Sequence, residues 1–429
     1  MEVGDLSWKA AVGGLALALA LCSCGSSALA AQPGTGTSAP SASSTSSTTS
    51  SPSGPHDATT GTRPASKSAP TSTSRPTTGV AAGARAVLAS EPTAAVVYLL
   101  AASTTAAGSR LELLRSGDGG GSYQPRAIPP GAGNATGARP GGRITQLEFT
   151  TANHGYAVIQ APGEPPRQVD ATDNGGRSWR TAALPVQPHN EPWKAGVTVE
   201  PPVQSANGHV YEVAVRCITP DDCPTYRLWS ADGWLARWSS RPGPQSGTFN
   251  AAGGIGLAVS GPSVWLVLGN GTSPIRILRS TDNADSFVRS DSNVPGVSCS
   301  LTATAPRVVW RSCSGGMVLT YARSSDGGLH YSPLPVTGAG TGGTALWPVT
   351  ADTAFFRTEV GADAGLFRST NAGRSFTRLH DYPAAFGNLG ADLTQICFGA
   401  TNDGVAVTSN GRLYRTTNAG RTWQRLSAP

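Results

Sequence analysis

Side chains able to meet a polar ligand cluster in a few short, turn-rich stretches of this 429-residue chain. Glu164 lies in APGEPPR; His189, Glu191, Trp193 and Lys194 in PHNEPWK; Asp221 and Asp222 in CITPDDC; His380, Asp381 and Tyr382 in LHDYP. Two carboxyls facing each other across a groove are the minimum for glycoside hydrolysis, and an aromatic beside an acid suits a sugar ring or a peptide. No stretch carries a nucleophile elbow, a phosphate loop or zinc-ligand spacing. No catalytic residue is therefore assigned, and neither a cofactor nor a metal is expected. The candidate partner contacts are Trp193, Asp221, Asp222 and Tyr382. Trp193 stands first, because an aromatic in a Pro-flanked loop offers large contact area at small entropic cost.

The seven cysteines divide by position. Cys22 and Cys24 directly follow an apolar run, Ala10 to Leu21, which has the length of a secretion-signal core and falls short of the ~20 residues that cross a bilayer. Leu21-Cys22-Ser23-Cys24 resembles the bacterial lipoprotein signal, with Leu at −3 and a small residue at −1. That implies lipidation of Cys24 and an anchor on the outer side of the cell membrane; cleavage after Ala30 would instead release a secreted protein. Five cysteines follow, in a compartment where free thiols are unusual. The midpoint of Cys299 and Cys313 falls on Pro306 in the turn candidate Ala305-Pro306-Arg307, so the two should face each other across adjacent strands within disulfide reach. Cys217 and Cys223 would staple a loop, and Cys397 reads as a buried, inert thiol.

From Gln32 to about Ala84 the chain is Ser-, Thr- and Pro-rich, with no large hydrophobe in its first half. Such a segment buries too little apolar surface to offset the entropy of ordering; a flexible tether with a reach of roughly 40 Å is expected. The organisation is thus a signal at 1–23, a tether at 24–85 and a folded domain at 86–429. Beyond residue 85 there are 27 basic and 23 acidic side chains, too dilute a balance for a nucleic-acid footprint. With 53 Gly, 33 Pro and only 14% charged residues, long amphipathic helices are excluded.

What must position the candidate residues is a repeat. The pattern Ser/Thr-x-Asp/Asn-x-Gly-x-x-aromatic occurs at Ser116, Asp118, Gly120 and Tyr123; at Thr172, Asn174, Gly176 and Trp179; and at Ser280, Asp282 and Phe287, with Ala284 in the glycine position. It recurs at Ser324, Asp326, Gly328 and Tyr331; at Ser369, Asn371, Gly373 and Phe376; and at Thr416, Asn418, Gly420 and Trp423. A degenerate seventh copy begins at Ser230 and Asp232, with its aromatic, Trp238, one residue late. Counting it, the copies start 44 to 58 residues apart; without it one interval is 108. In each turn the Asp or Asn accepts backbone N–H bonds, the hydroxyl adds another, and Gly permits positive φ. The flanks read as four short strands per unit; in the last they are Leu393 to Phe398, Gly404 to Thr408, Arg412 to Thr416 and Thr422 to Leu426. Seven four-stranded antiparallel units describe an all-β, seven-bladed β-propeller.

The turns resemble the Asp-box, or bacterial neuraminidase repeat, and residues 86–429 are similar to the repeat-bearing propellers grouped with sortilin and the photosystem II stability/assembly factor. The resemblance implies that the boxes brace the blade periphery, away from the binding face, while functions in the class range from receptors and assembly factors to sialidases and glucanases. The Arg-Ile-Pro signature associated with sialidases is absent; RAIPP at Arg126 is not that motif. The expected function is a membrane-anchored, monomeric binding or scaffold module for a protein or glycan partner at the loop face, with a sialidase- or glucanase-type glycosidase as the alternative.

Overall fold

A computed structural model describes residues 84–105, 108–132, 142–160, 168–182, 198–199, 203–204, 208–216, 225–232, 237–242, 255–268, 275–290, 298–315, 318–339, 345–358, 365–379, 383–386 and 392–426. They form seven antiparallel sheets, each a meander of consecutive strands. Blade 1 is Arg85–Thr93, Val96–Thr105, Gly108–Ser116 and Gln124–Arg126; blade 7 is Leu393–Phe398, Gly404–Thr408, Leu413–Thr416 and Gln424–Arg425. Blades 2 to 6 begin at Arg143, Thr198, Ile255, Ser298 and Ala345. The protein is a seven-bladed β-propeller. Outermost strands are only two or three residues long in five blades and carry exposed Arg289, Arg378 and Arg425 in three of these; short, charged edges discourage pairing with another chain.

Strand alternation builds the ring. The second strand of blade 4, Ser263–Leu268, is buried along its whole length. Val264, Leu266 and Leu268 pack toward blade 3, and Trp265 and Val267 toward blade 5. Repeated in every blade, this gives seven apolar clusters, one per seam from 1–2 round to 7–1. Burying each Leu or Val in them contributes roughly 1.5–3 kcal/mol.

No strand is exchanged between blades 1 and 7, so packing and a few bonds close the ring there. The Gln395 side chain accepts from Ala89 N (3.0 Å) and donates to Ala89 O (2.9 Å), in the manner of a strand neighbour. Ala86 N donates to Gly411 O at 2.9 Å, and Cys397 lies buried in the same seam.

Cys299 and Cys313 are directly paired across adjacent strands and disulfide-bonded, with a turn at Pro306 and Arg307. The candidate pair Cys217 and Cys223, and Cys24, lie outside the described residues. Among the described residues no helix is long and apolar enough to cross a membrane.

Candidate functional site

The repeat turns join third to fourth strands and share one bonding scheme. In blade 1, Ser116 Oγ accepts from the N–H groups of Asp118 (3.2 Å) and Gly120 (2.7 Å) and donates to Asp118 Oδ1 (2.7 Å). Asp118 in turn accepts from Ser122 N at 2.8 Å and Ser122 Oγ at 2.7 Å. The turns at Thr172, Ser280, Ser324, Ser369 and Thr416 repeat it; in the Asn copies Nδ2 donates to the hydroxyl four residues on, at 2.7–2.8 Å. Bonds from Ser116 and Ser122 hold the Asp118 carboxyl down at about 2, and bonds from Ser280 and Ser286 do the same for Asp282. At Asp326 burial opposes ionisation most, but bonds from the His330 backbone, Ser324 and the His330 ring together hold it below the usual range.

The glycine of each turn answers two demands. Its φ is positive, 75–96° across the five copies, and it lies against a neighbouring side chain. A Cβ on Gly420 would come within 2.3 Å of Phe355, and one on Gly120 within 2.5 Å of Leu426, each on the preceding blade. Ala284 keeps a φ of 68° at the seam with blade 3. Tyr123, Trp179, Phe287, Tyr331, Phe376 and Trp423 each pack into the cluster shared with the preceding blade.

Blade 3 departs from the expected spacing. In the other six blades the residue before the Ser/Thr pairs with the residue after the aromatic, as in Arg115↔Gln124 and Arg279↔Val288. In blade 3 that pair is Ser230↔Ser239. Ser230 and Asp232 therefore do not hold the turn positions assigned to them. Ala231 stands at the Ser/Thr position, while Trp238 keeps the aromatic place and packs into the 2–3 seam. With no hydroxyl to cap the turn, strand pairing continues to Asp232↔Arg237.

Sequence reading passed over an arginine directly before the Ser/Thr in five of the seven copies. Four of them bond the next blade directly. Arg279 Nη1 reaches Asp326 O (3.3 Å), Arg323 Nε reaches Ala351 O (3.1 Å), and Arg368 Nη1 reaches Ala419 O (2.8 Å). Arg415 closes the ring on Gly119 O (2.7 Å) and Ala94 O (2.9 Å). Arg115 bonds the Tyr98 hydroxyl, which donates to Ala152 O. At the 3–4 seam, where Ser230 replaces the arginine, Arg241 from the outer strand bonds Ser230 and pairs with Asp285 at 2.6 Å. The signal was present in the repeat alignment, one position upstream of the motif as written.

The opposite rim, made by the second-to-third loops and inter-blade connections, would carry the candidate contacts Trp193, Asp221, Asp222 and Tyr382, together with Glu164, His189, Glu191, Lys194, His380 and Asp381; all lie outside the described residues. Four carboxyls are buried in the described strands: Glu91 and Glu148 on innermost strands, Glu212 on the second strand of blade 3 and Asp170 on the third strand of blade 2. Glu148 accepts from Tyr156 Oη (2.8 Å) and Gln146 Nε2 (3.2 Å), and Asp170 from Gly131 N (3.1 Å) and Gln168 Nε2 (2.8 Å). Burial pushes Glu91 up to about 8 despite its bond from Gly399 N and the proximity of Arg415. Burial alone pushes Glu212 to about 8, and neither of its oxygens has a hydrogen-bond partner. Glu212 sits where the inner strand of blade 3 is split, Thr198–Val199 and Val203–Gln204 both pairing with Val210–Arg216. Among the described residues no group of three His, Cys, Asp or Glu could hold a metal.

No known protein family and no curated protein matches the sequence. Among solved structures, YCF48 bound to a D1 peptide is similar over 79% of this chain and 94% of its own, at 15% identity and a TM-score of 0.45. A prolyl endopeptidase is similar over 80% of this chain but 49% of its own, at 9% identity and a TM-score of 0.51. The GH74 enzyme of Niastella koreensis is similar over 78% of this chain and 70% of its own, at 12% identity and a TM-score of 0.28. Likeness at these identities speaks to the fold alone.

Proposed function

We propose that the propeller is a binding or scaffold module, anchored outside the cell membrane through a lipid on Cys24, which engages a protein or glycan partner with the loops of the rim opposite the repeat turns. The observation that carries this reading is the use made of the polar framework: the repeat-turn side chains bond within their turns, four of the arginines bond the next blade, and the four strand carboxyls are buried. A framework built this way leaves the loops of the opposite rim to meet a partner. The Cys299–Cys313 disulfide supports an oxidising, extracytoplasmic location. Photo-crosslinking from position 221 on intact cells, paired with a glycan array, tests the site; the expected result is one discrete partner, lost when Trp193→Ala is added with unchanged thermal stability. Turnover of a fluorogenic sialoside or glucan, abolished by substituting a loop carboxylate, would replace this reading with a glycosidase. Release of a Cys24→Ala protein into the medium is expected; membrane retention of the correctly processed variant would defeat the anchor.

A further inference from the structure

Three arginines, none of them paired with an acid among the described residues, gather at the seam between blades 1 and 2. Arg115 Nε bonds the Tyr98 hydroxyl at 3.1 Å. Its cross-strand neighbour Gln124 accepts, through Oε1, from Arg126 Nη2 at 3.1 Å. The turn leading into Arg177 touches both: a Cβ on Gly175 would sit 2.8 Å from the Tyr98 hydroxyl, and one on Gly176 3.4 Å from Arg126 Cβ. Gly176 O also accepts from Ala127 N at 2.9 Å, and Trp179 Nε1 donates to Ala127 O at 2.7 Å, so the strand end bearing Arg126 is tied to the turn bearing Arg177.

None of the three guanidiniums forms an ion pair among the described residues, and Asp173, the acid of the same turn, is exposed and unpaired as well. Two other seam arginines are balanced by acids, Arg415 with Asp403 and Arg241 with Asp285. Arg126 Nε is buried with no acceptor, while Arg177 is exposed. The cluster thus has an inner donor lacking a partner and an outer guanidinium open to solvent. Burial, followed by repulsion from Arg115 and Arg177, holds the Arg126 guanidinium below its ordinary value, as expected of like charges gathered without a counter-charge.

We propose that Arg115, Arg126 and Arg177 form an oxyanion-binding site on the outer part of the 1–2 seam, taking a carboxylate or phosphate group of an acidic extracellular polymer. Planar guanidinium donors match both groups through paired, charge-assisted bonds. The site uses none of the residues assigned to the main partner, and only its extracellular setting rests on the function proposed above.

The test is calorimetric titration of the full chain with inorganic phosphate, polyphosphate and polygalacturonate at constant ionic strength set by chloride. Saturable binding is expected, weakened about tenfold in Arg177→Gln and unchanged in Arg289→Gln, an exposed arginine of blade 4. Both variants alter solvent-exposed side chains, so a folding defect would not mimic the result. Tighter binding of polygalacturonate identifies the carboxylate as the natural group, and tighter binding of polyphosphate identifies the phosphate. Binding of none of the three beyond chloride, or equal loss in both variants, would overturn the site.

Discussion

A buried carboxyl with no partner costs far more ionised than protonated, and Glu212 is such a group. Folding holds it near 8, whereas the unfolded chain releases its proton near 4.5. Below the unfolded value both states are protonated and the group has no effect. As pH rises from 4.5 to 8 the unfolded state loses a proton that the folded state keeps, so stability falls across that window by a few kcal/mol and then levels off. Glu91, also near 8, adds to the same slope. Urea unfolding at pH 5 and pH 8 should show a smaller loss in Glu212→Gln than in the parent; an identical loss would mean that the carboxyl finds a partner. The turn aspartates have the opposite sign: for Asp118 and Asp282, held near 2, the contribution is present above the ordinary carboxylate range and fades as pH falls toward 2. Asp326 accepts from Ser324, Leu329 and His330. Asp326→Ala should therefore destabilise by roughly 1–3 kcal/mol, measured by denaturant midpoint, while Asp326→Asn, which keeps Oδ1, should cost less.

At the scale of the element, a repeat turn and its preceding arginine act together. The hydroxyl and carboxylate set the path of the turn, and that path aims a backbone carbonyl at the arginine of the preceding blade. Arg368→Gln removes a 2.8 Å charge-assisted bond to Ala419 O and should lower stability by about 1–2 kcal/mol, read as a shift in the denaturant midpoint at an unchanged m-value. A changed m-value would mean that blades 6 and 7 separate rather than loosen. These turns were legible in the residues because their chemistry is local, every bond falling within seven positions. The blade 3 turn was misread by one residue because Ser230 and Asp232 mimic the motif; only pairing of Ser230 with Ser239 shows which residue occupies which place. The arginines were visible as letters, but the carbonyls they reach on the next blade lie 28 to 321 residues away.

At the scale of the molecule, one seam lacks a covalent connection between its two blades. Seam 7–1 relies on the Gln395 clamp, the Arg415 staple and the apolar cluster joining Val97 and Leu99 to Val405 and Val407. Gln395→Leu keeps the bulk and removes both bonds to Ala89; a loss of about 1–3 kcal/mol is expected. Hydrogen exchange should then show Arg85–Thr93 and Leu393–Phe398 opening before the inner strands of blades 4 and 5, since local opening follows the least stable unit. Uniform exchange round the ring would show that closure is no weaker at this seam than elsewhere.

Seven units of four strands, turns braced by Ser/Thr and Asp/Asn, and a cross-strand Cys299–Cys313 pair follow from the amino-acid sequence itself, because periodicity, turn chemistry and the midpoint of a hairpin involve residues close in the chain. Tertiary structure alone decided the rest: that Ala231 heads the third turn, that four of the five arginines bond the next blade, that Glu212 is buried unpartnered, and that Arg115, Arg126 and Arg177 share one seam. Each of these depends on how one sheet meets another, a relation set by packing between blades and not by spacing along the chain.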